Sequence, residues 1–476
     1  MMSSTIRLAF FYTLPLFPVF LQASSIEAPD QREDQRRAAL YGESPLIYYE
    51  AFNSPAEDPS KSHVDITYRI SHNFFIFVRN EKFTDPAVSQ NTQKPNYQFI
   101  ATAEITAELL DRSGVSVARE LAQKEVGTDD PENPANKNEF LQGIFSFVLN
   151  PGEYTVVFGV DELGSSRQFL EKSRKVTLRG FSKNPLDLSD VLFIEPITGL
   201  RHEAQEFIPV NLGGDVFFGK NFEAYVEIAR SVLTDTTLQL SYSLYRLGEE
   251  KNDTTFFVHD SLPSNIIANP KKLEIERTER AYLYRIRESR ASDRFSALLP
   301  LDGDQLPQGN YELAISITDG VNAQSRVHPF RVRWLNMPRS LRDFQLAINA
   351  LEYVATKEEM GDLRAMFASN LKERFEEFWK KRDPTPKTAF NEATAEYYRR
   401  VDYTMENFGT LKGTDGYKTD RGKIYILYGQ PASTERKFSA ATPPREIWNY
   451  AKLRKRFIFV DEAGRGDYKL AATENF

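Results

Sequence analysis

Along most of the chain apolar residues recur at every second position. Val64-Asp65-Ile66-Thr67-Tyr68-Arg69-Ile70 alternates strictly, and residues 98–110 repeat the pattern with Phe99, Ala101, Ala103 and Ile105 on one side and Thr102, Glu104 and Thr106 on the other. That period turns one face of a pleated strand to a core and the other to water. The run Phe74-Phe75-Ile76-Phe77-Val78 and residues 222–228 and 238–247 predict further strands. Residues 271–290 are densely charged. Tyr282, Tyr284 and Ile286 nevertheless alternate with Leu283, Arg285 and Arg287, which predicts a half-exposed strand, and Glu274, Glu276, Glu279 and Glu288 cancel the field a nucleic acid would need. Residues 122–138, around Gly-Thr-Asp-Asp-Pro-Glu-Asn-Pro, read as a polar loop.

One pattern occurs twice. Leu149-Asn150-Pro151-Gly152-Glu153-Tyr154 opens a strand that Val176-Thr177-Leu178 closes, and Leu306-Pro307-Gln308-Gly309-Asn310-Tyr311 opens one closed by Phe330-Arg331-Val332-Arg333-Trp334. A tight turn, an alternating strand, an Asp (Asp161, Asp319) and a return strand resemble the last hairpin of immunoglobulin-like or fibronectin-like sandwiches, where the Tyr packs across the sheet end. Two copies a domain length apart predict two sandwiches, at residues 44–181 and 190–335.

After Pro338 the period lengthens to that of a helix. Leu341, Phe344, Ile348, Leu351 and Val354 share a face that Ser340 can cap. Thr356 and Glu359 fit a capping box for a second helix. A third carries Leu371, Phe375, Phe378 and Trp379, and a fourth runs from Asn391 to Phe408 with Gly409 as its stop. Next, Gly413 to Gly422 is rich in turn formers, and Ile424-Tyr425-Ile426-Leu427-Tyr428, ended by Gly429 and Pro431, predicts a buried strand. Residues 446–450 and 456–461, and a return through 467–470, complete an antiparallel meander. Residues 338–476 thus form an α+β module of about four helices and a sheet, and the chain is multidomain and mainly β.

A length of 476 residues suits roughly three domains of about 150 residues each, and 41% hydrophobic content is ample for their cores. The formal net charge of -7 favours no polyanionic partner. With no Cys there are no disulfides, no thiolate chemistry and no lipid-bearing cysteine. Arg7, the apolar run 8–21 broken by Pro15 and Pro18, and the small residues Ala23, Ser24 and Ser25 read as a signal peptide over residues 1–25, followed by a linker at 26–43. The expected mature chain is periplasmic or extracellular, lacks a transmembrane span, and is held at the envelope only through a partner.

Gly416-Tyr417-Lys418-Thr419-Asp420 resembles the naming pentapeptide of the GWxTD domain family, with Tyr417 in place of Trp. Residues 379–386, 397–401, 445–448, 457–461 and 466–468 match its other motifs in order, so the resemblance spans roughly residues 341–470. The family carries no established reaction, and its members are often exported proteins with added domains. The residues leave little chemistry. All five His (His63, His72, His202, His259, His328) lie upstream of the module, which excludes a Ser-His-Asp mechanism inside it, and no motif calls for a metal or cofactor. Asp383, Asp415, Asp420, Glu446, Asp461 and Asp467 could supply an acid and a base for a carboxylate-dependent envelope hydrolase acting on glycan or peptide. The favoured reading is structural: Asp383 and Asp420 cap turns or pair with Arg382 and Arg421, while Asp461 and Asp467 close the hairpin. Tyr417, Tyr425, Tyr428, Trp448 and Tyr450 read either as a platform for a sugar or peptide or as core. The candidate binding set is Gly416, Tyr417, Thr419, Asp420, Arg421, Gly422 and Trp448, in a loop that offers an aromatic face, an acceptor and a forked donor to an envelope protein or glycan. The sequence therefore favours an exported, non-enzymatic binding or scaffold protein over the hydrolase.

Overall fold

The computed structural model describes residues 45–83, 97–130, 139–196, 206–231, 237–248, 254–262, 271–277, 282–288, 294–364, 370–411, 413–439 and 442–476. The expected signal peptide and linker lie outside these residues. Eight strands make the first sandwich: β1 (Ile47–Pro55), β2 (Ser62–Ser71), β3 (Val78–Arg79), β4 (Phe99–Leu110), β5 (Ser116–Thr128), β6 (Phe140–Leu149), β7 (Gly152–Glu162) and β8 (Gln168–Leu178). Sheet β1-β2-β6 faces sheet β3-β4-β7-β8, with β5 paired to β4. Between them lie Val64, Ile66, Tyr68 and Ile70 of β2, the Ala101-to-Leu109 stripe of β4, and Val156, Phe158 and Val160 of β7.

The second sandwich contains β9 (Leu186–Leu188), β10 (Leu192–Pro196), β11 (Glu206–Pro209), β12 (Val216–Phe217), β13 (Glu223–Arg230), β14 (Gln239–Leu247), β15 (Thr254–Leu262), β16 (Lys271–Arg277), β17 (Tyr282–Glu288), β18 (Arg294–Pro300), β19 (Gly309–Thr318) and β20 (Ala323–Arg333). Its sheets run β16-β17-β11-β10-β13-β18 and β12-β20-β19-β14-β15, with β9 on β13. The twice-occurring pattern is the hairpin β7–β8 and the hairpin β19–β20. In each the Tyr hydroxyl donates to the carbonyl four residues upstream, Tyr154 to Asn150 and Tyr311 to Pro307, both at 2.8 Å.

Several strand expectations change. The alternation of β2 is real, but its polar side is not in water: Asp65 and Thr67 are buried. The second sandwich covers that face. Phe52 and Ile144 from the first sandwich join Leu192, Ile194, Phe207, Tyr225 and Tyr284 of the second in one apolar cluster, and Tyr48 sits in the second core. The run 74–78 is mostly not a strand, because a 3-10 turn, His72–Phe74, bends it so that both Phe74 and Phe75 are buried. Residues 122–128, expected in a loop, finish β5 against β4. Residues 131–138 lie outside the described part. Residues 271–290 form not one strand but the pair β16 and β17.

The C-terminal module has five helices among the described residues: α1 (Phe344–Ala350), α2 (Lys357–Arg364), α3 (Leu371–Lys380), α4 (Glu392–Asn407) and α5 (Asp420–Tyr428). Asp343, not Ser340, caps α1 by accepting from the Gln345 and Leu346 amides; Ser340 is buried in the preceding 3-10 turn. The capping box is present, Thr356 and Glu359 each bonding the other's backbone amide. A four-stranded antiparallel sheet follows, β21 (Ser433–Ser439), β22 (Thr442–Tyr450), β23 (Lys455–Val460) and β24 (Lys469–Asn475), in that order. The module meets the second sandwich through Phe390, whose ring lies 5.4 Å from both Phe218 and Trp334.

The strand expected at residues 424–428 is helix α5. Thr419 starts it, its Oγ1 accepting the Gly422 amide at 3.0 Å, and Gly429 stops it with φ +76°. The helix is wedged between two cores: Ile426 packs with α1–α4, and Ile424 packs with Trp448, Tyr450, Phe457 and Phe459 of the sheet. A helix buried on opposite sides carries apolar residues all round. Here burial falls on Gly422, Ile424 and Ile426, every second residue, which imitates a strand.

Candidate functional site

The family-like pentapeptide lies where the helices meet the sheet. Gly416, Tyr417 and Lys418 form a 3-10 turn between α4 and α5. A β-carbon on Gly416 would overlap the Thr404 carbonyl of α4, and one on Gly422 would overlap the Gly416 carbonyl, so both positions require backbone to touch backbone. Thr419 Oγ1 also donates to the Gly416 carbonyl at 2.8 Å, which locks turn to helix. Tyr417 is 1% exposed, and its own carbonyl accepts from the Tyr353 hydroxyl at 2.9 Å. Burial holds the Tyr417 hydroxyl above its ordinary pKa.

Asp420 and Arg421 point the other way, to the sheet. Asp420 accepts the Leu470 amide at 2.7 Å, fastening the start of α5 to β24. Arg421 lies between the rings of Phe408 and Tyr468, at 5.0 and 4.3 Å, and donates to Glu446 at 3.0 Å and to the Gly466 carbonyl at 3.3 Å. The Arg421 and Glu446 side chains are only 11% and 4% exposed. The second Glu446 oxygen accepts from Trp448 Nε1 at 3.1 Å, and Arg436 stands 3.5 Å away. Trp448 itself packs on Phe408 and Phe459. The seven candidate residues are thus brought together, but around a joint and not around an open cleft.

Of the expected aromatic platform, Tyr425 stacks on Tyr403 at 4.3 Å, and burial pushes its hydroxyl up to about 12. Tyr450 donates to the Gly429 carbonyl at 2.7 Å and is buried. Tyr428 is 37% exposed. The six carboxylates are all engaged. Asp383 accepts the Thr385 amide, Asp461 accepts the Arg465 and Gly466 amides, and Asp415 and Asp467 pair with Lys418 and Lys469. Asp420 and Glu446 are bound as described. The expected partners of Arg382 and Arg421 change, however: Arg382 pairs with Glu359, and Arg421 with Glu446. Among the described residues no three His, Asp or Glu converge as a metal site would need, and no helix is long and apolar enough to cross a membrane.

Sequence reasoning missed α5 and with it the direction of Arg421. The available signal was a Thr-Asp helix start with a Gly nine residues beyond Asp420.

The GWxTD domain model matches residues 317–476. No curated protein matches the chain by sequence. Among solved structures, a transglutaminase of red sea bream is similar with 8% identity and a TM-score of 0.17 over 64% of this chain and 34% of that one. An alpha-2-macroglobulin of Escherichia coli, activated by porcine elastase, gives 12% identity and a TM-score of 0.16 over 62% of this chain and 24% of its own. The chain therefore spans about a third and a quarter of these proteins, and likeness of this degree transfers no activity. Residues 317–476, which take in β20 of the second sandwich and the whole C-terminal module, match the GWxTD domain, with Tyr417 at the naming tryptophan.

Proposed function

We propose that the chain is an exported binding or scaffold protein of the bacterial cell envelope, in which the GWxTD domain is a rigid terminal module whose signature residues hold its shape. The observation that carries this reading is the enclosed Arg421, ringed by Phe408 and Tyr468 and bonded to Glu446 and Gly466. A side chain whose two terminal nitrogens are bonded inside the module, and whose remaining Nε is buried, has little left for a ligand. Contact with an envelope protein or glycan then falls to the outer surface. The engaged carboxylates weigh against the hydrolase in the same way, since general acid and base need free access to the scissile bond. Export rests on the apolar segment 8–21 and the small residues after it.

Two measurements test the proposal. Sequencing the N-terminus of protein recovered from the envelope fraction should find residues 1–25 removed; cytoplasmic protein that keeps them would refute export. Pull-down from envelope extract should recover the same partners with Tyr417→Phe and Arg421→Lys variants that still fold. Loss of a partner from a folded variant would make the signature a binding site after all.

A further inference from the structure

The turn between β22 and β23 carries a feature that neither the fold nor the signature uses. Lys452, Arg454, Lys455 and Arg456 crowd one end of the sheet, and only Arg456 meets a carboxylate, Glu474 at 3.6 Å. Lys452, Arg454 and Lys455 have no carboxylate partner among the described residues. This sits on a chain whose formal net charge is -7. Leu453, at the apex among these cations, is 44% exposed; the Tyr428 ring lies 6.0 Å from Lys455 Nζ and is partly open to solvent.

The backbone adds an independent observation. Arg454 has φ +51°, and among the described residues the other non-glycine positions with positive φ are Asn211, Asp302 and Asn336. Asn and Asp tolerate that region, whereas a long side chain there is uncommon and costs free energy. A turn selected only for closure would carry Gly or Asn at this point. The strained Arg throws its charge outward beside Leu453.

The geometry points to this tip as a docking surface for an anionic lipid bilayer, with Lys452, Arg454 and Lys455 among the headgroups and Leu453 and Tyr428 in the interfacial layer. Charge alone would suit any polyanion. An exposed Leu at the apex of the cations favours a membrane over a simple polyanion, because a bilayer offers apolar depth behind a negative surface. The inference extends the envelope reading above, but vesicle binding does not depend on where the chain is sorted, so either can fail alone.

The test is co-sedimentation of the full chain with vesicles about one-third phosphatidylglycerol in phosphatidylcholine, against pure phosphatidylcholine. Binding is expected only to the anionic vesicles and should weaken with salt. Replacing Lys452→Ser, Arg454→Asn and Lys455→Ser together should weaken it by about two orders of magnitude, and Arg454→Asn relieves the turn, so the variant should fold. Leu453→Ser alone should weaken it by several-fold. Absence of binding, or equal binding by the triple variant, would overturn the proposal. So would equal capture by soluble polyglutamate with no effect of Leu453→Ser, which would mark a polyanion site instead.

Discussion

At the scale of single residues, the signature behaves as a set of close approaches. Gly416→Ala puts a methyl group into the Thr404 carbonyl, which the backbone of α4 cannot yield, so the module should lose its cooperative unfolding transition. Gly361→Ala is the control: it lies in α2 with open space around it, and should leave stability unchanged or raise it by up to about 1 kcal/mol. Urea unfolding of both variants decides; a Gly416→Ala protein as stable as the parent would refute the packing argument. Arg421→Met leaves Glu446 buried beside only Trp448 and Arg436, and should cost about 3–5 kcal/mol. Adding Glu446→Gln should recover part of that loss, because the stranded charge is then gone. Strictly additive losses would show that the pair is not coupled.

Among the elements, α5 organises the module. It is short, and its burial on both sides outweighs the β-propensity of Ile424, Tyr425 and Ile426. Its start depends on one hydroxyl that both accepts from Gly422 and donates to Gly416. Thr419→Ala should therefore cost about 0.5–2 kcal/mol, and Thr419→Ser should restore most of it. Guanidinium unfolding of the three proteins measures this; a Ser variant no better than Ala would assign the loss to the Thr methyl. The two corner tyrosines belong to the same scale. The Pro-Gly and Pro-Gln-Gly turns predicted them correctly because the turn, the strand start and the Tyr lie within six residues, where chain connectivity fixes the geometry.

For the whole molecule, the seam between the sandwiches is the larger joint. Glu50 of β1 accepts the Gly214 amide at 2.5 Å, and burial there raises its carboxyl to about 7 from an ordinary 4.5, against the nearby Arg174. Because the folded state holds this proton more tightly than the unfolded chain, Glu50's contribution to stability is fully present below about pH 4.5 and is lost as pH rises through about 7. Glu50→Gln keeps an acceptor without the charge. It should gain stability relative to the parent between pH 5 and pH 8, by about 1–3 kcal/mol, in paired urea titrations. A difference that does not change with pH would show Glu50 to be solvated. The GWxTD end is the smaller joint. Its two apolar clusters draw only on residues from Leu341 onward, so a fragment of residues 338–476 should unfold cooperatively by itself, less stable than in the full chain by the lost contacts of Phe390. Circular dichroism during urea titration of the fragment checks this, and a gradual, non-cooperative melt would show that the second sandwich completes its core.

What the sequence determined was whatever neighbours in the chain decide. Period-two runs became strands at β2, β4, β13 and β14, helix caps appeared at Thr356 and Asn391, and the repeated turn gave its hairpin twice. The collinear motifs around Gly416 identified the domain. What the sequence left to tertiary structure was the destination of each face. Asp65 and Thr67 carry the polar pattern of a solvated strand, yet a second sandwich covers them, and alternation cannot say whether water or another domain lies beyond. Ile424 to Tyr428 has the composition of a strand and is a helix, because a segment enclosed on both sides loses the one-sided stripe by which helices are read. Nor could spacing reveal that Arg421 would pass Asp420 by to reach Glu446, since the partner lies 25 residues away and only the packing of α5 on β22 brings the two charges to 3.0 Å.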